Sequence, residues 1–400
     1  MVEHSARAHA LLSASGAHKW MHCTPSARLE DTFANETSDF AEEGTTAHEY
    51  AELLIQQYWG AERPETINEG IARIKASRWY NLDFEMYVRE YADYIINLMI
   101  YAKRIDPHAI CMTEKLLDFS YYVPEGTGTG DYSEYCNHKI TVVDLKFGKG
   151  VSVSAVRNPQ LMLYALGLWL EVIQHGVSVD RVKMVVYQPR IENISEWEIH
   201  ISELVTWAEQ ELAPKALMAW KGEGTFNAGD HCRFCRAKSV CGAMLNEFKN
   251  LDEVAKGNTS MTEEEVIQYV LERGGLVKAY IDHIHSTALN NGLNGKPPQG
   301  YKVVRGRGTR SFTDKSAIER ILVDTGWDAE HIYEERTLRP LTHIEKLVGK
   351  KLFTEVFAEH IEIKSGKPSL VPESDDRPAI SNVSDFIDYT DTSDNGGNEY

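Results

Sequence analysis

The sequence predicts an α/β fold whose core is a central mixed sheet flanked by helices. Two observations carry this prediction: a long stretch with helical periodicity precedes three segments rich in strand-forming residues, and an apolar helix then separates the third strand from a fourth. The predicted order is helix, strand, strand, strand, helix, strand. A helix between two strands is typical of the crossover that joins parallel neighbours in a sheet.

The elements follow from local patterns along the chain. A helix is predicted over 41–59, because five apolar residues recur there at helical spacing: Ala47, Tyr50, Ala51, Leu54 and Tyr58. A second amphipathic helix is predicted over 86–104. Three strands are predicted in CMTEKLLDFSYYV, GTGTGDYSEY and KITVVDLKF. The crossover helix NPQLMLYALGLWLEVIQ has Pro159 in its first turn, and VKMVVYQPR is the strand that follows it.

The chain is predicted to contain more than this core, because its 400 residues exceed one ordinary domain. Four segments are expected: a core over 1–250, a linker over 251–261, a second mixed α+β unit over 262–370 and a disordered acidic tail over 371–400. Thr262 and Glu265 have the spacing of a helix capping box, and YKVVRGRGTRSF is typical of a hairpin.

Charge and hydropathy limit the function. With 42 basic and 60 acidic residues the net charge is −18, which argues against a protein that coats nucleic acid through bulk charge. Residues 373–399 hold eight acids and one arginine, a composition typical of a solubilising tail or of a segment that recruits a partner. No stretch approaches the roughly 18 apolar residues of a membrane span, and the N-terminus does not resemble a signal peptide, so a cytoplasmic location is expected.

Two acids and a lysine form the most informative pattern. Gly128-Thr-Gly-Asp131 opens one predicted strand, and after twelve intervening residues Asp144-Leu145-Lys146 lies in the next. Residues two apart on a strand share a face, so Asp144 and Lys146 project together. Carboxylates on adjacent strands can hold a hard divalent cation, and a lysine beside them can position a water or stabilise a phosphate. The alternative is an exposed salt bridge on an ordinary strand.

Four further residues are candidates for the same site. Gln160 and Tyr164 share one face of the crossover helix and can reach back over the Asp-Leu-Lys strand. His48 on the first long helix is a possible metal ligand, and Glu114 on the first strand is a possible ligand or supporting carboxylate. Each taken alone has an ordinary alternative as a packed or surface residue.

The order of these motifs resembles the RecB-like branch of the PD-(D/E)xK nuclease superfamily. The resemblance implies a restriction-endonuclease-like core in which His48, Asp131 and Asp144 bind the metal and Lys146 is catalytic. It implies that Gln160 and Tyr164 shape the site and contact DNA. We further expect the Leu145 carbonyl to help bind Mg²⁺ or Mn²⁺ and Glu114 to complete the site. The whole chain also resembles an uncharacterised phage and prophage family through stretches such as VVDLKFGKGV and GKPSLVPESDDRPAI.

The cysteines form a second pattern. Cys232, Cys235 and Cys241 cluster beyond the core, and Cys23 lies far upstream, whereas Cys111 and Cys136 are scattered and are expected to be buried apolar residues. This arrangement resembles the 4Fe–4S staple of AddB-type helicase-nucleases, which ties the N-terminus to the end of the nuclease core. The alternatives are unligated thiols or zinc, held by four cysteines or by three with His22 or His231.

We therefore expect a metal-dependent deoxyribonuclease, most specifically an exonuclease that resects double-stranded DNA ends in phage recombination or replication in a bacterial cell. A phage single-strand annealing or binding protein is a possible partner. Five basic residues are expected to contact the DNA backbone: Lys149, Arg157, Arg305, Arg307 and Arg310. The alternatives are a catalytically silent DNA-binding or assembly protein on a nuclease fold and an iron–sulfur electron carrier.

Overall fold

The computed structural model describes residues 10–33, 39–60, 64–257 and 260–302. The chain divides into two units after Val304, and the described residues all lie in the first unit. The predicted hairpin and acidic tail, most of the segment 262–370, and Arg305, Arg307 and Arg310 lie outside the described residues. Those predictions stay as they were made.

Helices precede, interrupt and follow a group of five strands. The N-terminal helices are α1 (Ala17–His22), α2 (Ser26–Glu30), α3 (Asp39–Trp59), α4 (Pro64–Lys75) and α5 (Leu82–Ile105). The strands are β1 (Ile110–Asp118), β2 (Thr127–Cys136), β3 (Lys139–Leu145), β4 (Arg181–Gln188) and β5 (Asn193–His200), with α6 (Pro159–Gln174) between β3 and β4. The chain continues as α7 (Ile201–Trp207), α8 (Ala213–Lys221), α9 (Gly242–Ala255) and α10 (Glu263–Leu293).

The strands form one mixed sheet in the order β1-β2-β3-β4-β5. All neighbours pair antiparallel except β3 and β4, which are parallel and are joined through α6. This confirms the predicted α/β class, the central mixed sheet flanked by helices and the crossover. The edge strand β5 was not predicted, although the alternating burial of NISEWEIH is the pattern of a half-buried strand.

Each face of the sheet packs against its own apolar core. On one face, Val142 of β3 and Met184 of β4 pack in the same core as the α6 residue Leu163. On the other face, Val143 of β3 packs in the same core as Tyr50 of α3. Because successive strand residues point to opposite faces, the near-continuous apolar run in β3 is what a strand buried on both sides requires.

Two local features set the geometry around β3. The turn between β2 and β3 has Asn137 and His138 at φ 45° and 61°, as a two-residue type I′ hairpin requires, and this turn fixes the register of the strands. At the start of α6 the Asn158 side chain accepts hydrogen bonds from the backbone N–H groups of Gln160 and Leu161. Together with Pro159 at the first helical position, this cap places Gln160 in the first turn of α6, close to the end of β3.

The predicted capping box at the start of α10 is confirmed, since Thr262 and Glu265 bond each other's backbone N–H groups. The helix α10 packs on α9 and on the two short 3-10 turns that carry the cysteine cluster. The stretch 251–261, expected as a linker, begins inside α9. No helix within the described part of the chain is long and apolar enough to span a membrane.

Candidate functional site

Three carboxylates lie in one row across neighbouring strands. The β1–β2 pairing on either side of Glu114 places it opposite Asp131, and continuing the β2–β3 pairing by one residue places Asp131 opposite Asp144. Residues opposite each other on paired strands have Cβ atoms about 4.5–5.5 Å apart. The three acids are therefore brought together by strand register, although they are far apart in the sequence.

The backbone departs from regular strand geometry at the first of these acids. Glu114 has φ 46°, in the left-handed region that a non-glycine residue rarely occupies, and the ladder between β1 and β2 lacks the pair that Glu114 would make. Such a conformation costs about 1–3 kcal/mol and is found preferentially at functional sites. This local irregularity directs the Glu114 carboxylate toward His48.

A histidine and two of the acids form a possible metal site. His48 Nδ1 on α3 lies 3.2 Å from Asp131 Oδ1 and 3.9 Å from Glu114 Oε1. Possible ligand atoms of these three residues all lie within 4.8 Å of one another. Among the described residues, this is the group of histidine, cysteine, aspartate and glutamate side chains that is close enough to hold one metal ion.

A backbone hydrogen bond ties this group to the Asp-Leu-Lys strand. The Leu145 N–H donates to Asp131 Oδ2 over 2.6 Å, so both oxygens of Asp131 are directed, one to His48 and one to β3. The Leu145 side chain is buried in the core below α3 and α5. The predicted role of the Leu145 carbonyl as a metal ligand stays a prediction.

The remaining predicted residues form a hydrogen-bonded chain beside the metal site. Lys146 Nζ lies 2.9 Å from Asp144 Oδ2 and donates to Gln160 Oε1 over 2.8 Å. Gln160 Nε2 in turn donates to Asp144 Oδ1 over 2.9 Å and contacts the Tyr164 hydroxyl at 3.0 Å. Gln160 therefore holds the carboxylate and the ammonium of the Asp-Leu-Lys strand in a fixed relation, as the i, i+4 pattern on α6 predicted.

The acidic side chains that lie close together in this site change the pKa values of the metal-site residues. Burial opposes a charged imidazole, but the carboxylates of Asp131, Asp144 and Glu114 outweigh it and raise the pKa of His48 to about 9. Burial and the nearby Asp131 carboxylate raise the pKa of Glu114 to about 7, although the His48 charge opposes the shift. A bound divalent cation would replace the protons that these groups hold.

The Asp-Leu-Lys pair is buried and charged. Burial raises the pKa of Asp144, whose side chain is 3% exposed, and the Lys146 ammonium opposes that shift. The pKa of Lys146 is raised, because the Asp144 carboxylate outweighs the effect of burial. Burial and the carboxylates of Asp144 and Asp131 also raise the pKa of Tyr164, so its hydroxyl stays protonated and can act as a hydrogen-bond donor.

An arginine that the sequence patterns did not identify lies next to this chain. Arg190 follows β4, donates to Glu43 Oε2 on α3 over 2.8 Å, and stacks over the Phe147 ring at 4.8 Å. Phe147 directly follows the Asp-Leu-Lys strand, so this contact joins the helix of His48 to the end of β3. Arg190 and Glu43 lie 147 residues apart in the sequence, and the stretch QPR has no motif spacing that would predict their contact.

The predicted DNA contacts fall partly near this site. Lys149 and Arg157 are exposed in the segment between β3 and α6, which leads from Lys146 to Gln160. Arg157 has φ 53°, a left-handed conformation directly before the cap of α6. Both side chains are therefore free to meet a ligand that approaches the acid site.

Four of the six cysteines line one small cavity, while Cys111 and Cys136 lie in β1 and β2. The cavity is lined by Cys23, Cys232, Cys235 and Cys241, together with Lys19, Lys238 and His231. In the part of the chain that is described, no three of these thiols lie within 4.8 Å of one another. A tetrahedral zinc site with bonds of about 2.3 Å needs sulfur atoms about 3.8 Å apart. The thiols are thus gathered but are not arranged for zinc.

The environment of the cavity favours neutral thiols. Burial raises the pKa of Cys232 and raises the pKa of Cys235 to about 12. Lys238 and Glu30 are also buried there, and the Lys19 ammonium lies 2.5 Å from Glu30 Oε2. Deprotonation of these thiols therefore needs a strong Lewis acid.

Fold and site together define an α/β protein with a five-stranded mixed sheet and a His/Glu/Asp group that could hold a metal ion at one end of that sheet. The chain belongs to the family described as "Protein of unknown function (DUF2800)", whose model matches residues 9–378. A solved structure titled "Crystal structure of SSO0001" is similar at 14% identity, covering 55% of this chain and 95% of that chain with a TM-score of 0.22.

Proposed function

We propose that this protein is a metal-dependent deoxyribonuclease, most specifically an exonuclease that resects double-stranded DNA ends during phage recombination or replication. The observation that carries the proposal is the convergence of Asp131, Asp144, Lys146 and Gln160, with His48 and Glu114, at one end of the sheet. All of these residues except Glu114 belong to the motifs through which the sequence resembles RecB-like PD-(D/E)xK nucleases.

The donor set fits a hard divalent cation. His48, Glu114 and Asp131 offer one imidazole nitrogen and carboxylate oxygens, a set that suits Mg²⁺ or Mn²⁺, and Asp144 adds a carboxylate from the next strand. When bound, such a cation polarises the phosphate and lowers the pKa of a water. The raised pKa of Glu114, caused by burial and by Asp131, is consistent with a group built to have its proton displaced by a cation.

The protein's own residues would orient the substrate and hold the proton. Lys146 is fixed by Asp144 and Gln160, so its ammonium can orient the attacking water or stabilise negative charge on the phosphate. The Tyr164 hydroxyl and Gln160 close one side of the site. Lys149 and Arg157, both exposed on the segment between these residues, would contact the DNA backbone.

We propose further that the cysteine cavity holds a 4Fe–4S cluster. Cys23 at the end of α1 and three thiols from the turns before α9 line this cavity, which is the number of thiolates that a 4Fe–4S cluster takes. No three of them are as close together as a single zinc ion would require. When bound, the cluster would serve as a structural link between the N-terminus and the end of the core. Lys19 and Lys238, which line the cavity, would offset part of the negative charge of the thiolates.

The nuclease proposal is tested by digestion of linear duplex, nicked circular and single-stranded DNA with Mg²⁺ or Mn²⁺. We expect the wild type to degrade linear duplex from its ends, and Asp131→Ala to reduce the rate by at least about 10³-fold, because electrostatic stabilisation of the reaction is lost. Asp93→Asn, an exposed acid on α5, is the matched control. If wild type and Asp131→Ala are equally inert with every metal while still binding DNA, the chain is instead a catalytically silent DNA-binding protein.

A further inference from the structure

A groove between α3, α4 and the edge strand β1 begins beside the acid site at the end of the sheet. Its volume is about 470 Å³, within the range of about 300–1,000 Å³ that is usual for small-molecule pockets. β1 contributes Thr113, the residue directly before Glu114. α3 contributes Gln56, which follows His48 and Glu52 at intervals of four residues and so lies on their side of the helix. The groove therefore continues from the acid site along α3 and β1.

The lining of this groove differs in chemistry from the acid site. Among the described residues, those that line the groove carry no charge. Leu53 and Ile67 form apolar walls, and Gln56 and Thr113 offer hydrogen-bonding groups. Trp59 lies at the end of α3 with 41% of its surface exposed, so its ring is available to stack on a ligand.

A nucleobase fits this lining better than a phosphate does. Every base has a π-face that stacks on an aromatic ring, and its edges donate and accept hydrogen bonds. A phosphate would be held at the acid site instead, where a bound cation would offset its charge. Trp59 and Gly60 are exposed, so the groove is open at that end and a DNA strand can continue past it.

We propose that this groove receives one unpaired base of the DNA strand whose backbone the acid site holds, with Trp59 stacking on that base. This inference rests on the proposed nuclease function and adds that the strand reaches the acid site with a base outside the double helix. Removing a base from its stack costs least where the strand is already single. The groove therefore favours single-stranded stretches, such as an overhang at a DNA end, over the interior of a duplex.

The test measures equilibrium binding of hairpin duplexes that carry a short overhang of either polarity, in which one base at a time is removed from the overhang. The full chain carries Lys146→Met and Mn²⁺ is present, so the DNA stays intact. We expect the loss of one particular base to weaken binding by at least about fivefold, because stacking on an aromatic side chain contributes on that scale. Trp59→Ala should abolish this difference between intact and abasic DNA, and Trp59→Phe should retain it.

Tyr101→Ala is the matched control, since Tyr101 is an exposed aromatic residue on α5 that lines a different cavity. It should bind every substrate like the parent protein. Equal binding of the intact and all abasic substrates would overturn the proposal. An abasic penalty that persists in Trp59→Ala, or an equal weakening of every substrate by this variant, would also overturn it. Failure of the nuclease function is recognised separately, because the digestion assay measures cleavage by the wild type and this assay measures binding alone.

Discussion

The acid site and the cysteine cavity are both gathered from distant parts of the chain, but they are built in different ways. The acid site lies on strands and long helices, and its members hold one another through hydrogen bonds such as those of Gln160 to Asp144 and Lys146. The cysteines lie at the end of α1 and at short 3-10 turns, and burial raises the pKa of two of them, Cys232 and Cys235.

This difference indicates how much each region depends on a ligand. The acid site is preorganised, because strand register and the Leu145 N–H already direct Asp131. The cysteine cavity has ligands in place but lacks bonds among them, so a cofactor would complete it. We therefore expect ligand loss to affect catalysis at the acid site and stability at the cavity.

The largest expected effect comes from breaking the cavity. Cys235→Ser should remove bound iron and lower the free energy of unfolding by about 3–5 kcal/mol, since a link across a loop of about 200 residues restricts the unfolded chain. Iron content and anaerobic urea denaturation measure this. Cys111→Ser, in β1 away from the cavity, is the control. Unchanged iron and stability in Cys235→Ser would show that the thiols are not ligands.

A smaller effect is expected from loosening the acid site without removing a ligand. Gln160→Leu breaks the contacts that fix Asp144 and Lys146, and should lower kcat for DNA cleavage by about 10–100-fold with little change in urea stability. Gln174→Leu, at the exposed end of the same helix, serves as the comparison. An unchanged kcat in Gln160→Leu would mean that Lys146 is positioned by Asp144 alone.

The pH dependence of metal binding should reveal the preorganised carboxylates. Burial and Asp131 raise the pKa of Glu114 to about 7, so a proton competes with the cation below that pH. Mn²⁺ affinity should fall by up to about tenfold per pH unit below pH 7 and should keep rising toward pH 9, where His48 loses its proton. Glu114→Gln should bind more weakly and lack the step near pH 7. A pH-independent Mn²⁺ affinity between pH 6 and 9 would contradict this account.

The smallest effect is expected from Glu85 on α5, which accepts a hydrogen bond from Tyr50 and so supports α3, the helix that carries His48. Burial opposes ionisation of Glu85, but hydrogen bonds from Tyr80, Arg89 and Tyr50 outweigh it and lower its pKa to about 2. The stabilisation that the ionised Glu85 gives the folded state is therefore complete above about pH 4.5 and is lost as the pH falls toward 2. Glu85→Gln should cost about 1–2 kcal/mol at pH 7, after allowance for solvent screening, and progressively less in acid.

Urea denaturation at pH 7 and at pH 3 measures this effect. Glu69→Gln, an exposed glutamate on α4, provides the control and should show no pH-dependent difference from the wild type. A Glu85→Gln penalty that is equal at both pH values would indicate lost packing rather than lost charge.

The sequence predicted the parts of the molecule that local rules determine. The helix of His48, the strands β1 to β3, the crossover α6 and the capping box of α10 follow from periodicity, turn residues and caps, and all were confirmed. That Gln160 reaches Asp144 and Lys146 could be predicted from its place one element after them. These features depend on neighbours in sequence or on adjacent elements.

What could not be predicted depends on long-range packing or backbone strain. The left-handed conformation that turns Glu114 toward His48 has no signature in a glutamate, and the Arg190–Glu43 contact joins residues with no shared pattern. His22 and His231 were predicted only as alternative zinc ligands, and their proximity to each other and to His18 was not predicted, because α1 and the turn of His231 are more than 200 residues apart.

The most direct test of the central claim separates metal binding from cleavage in one variant. Lys146→Met should bind Mn²⁺ about as well as the wild type, because the metal-capable group is His48, Glu114 and Asp131, yet it should cleave end-labelled linear duplex at least about 10³-fold more slowly in single turnover. Cleavage by Lys146→Met at the wild-type rate with Mn²⁺ bound would contradict the assignment of this site as a nuclease centre.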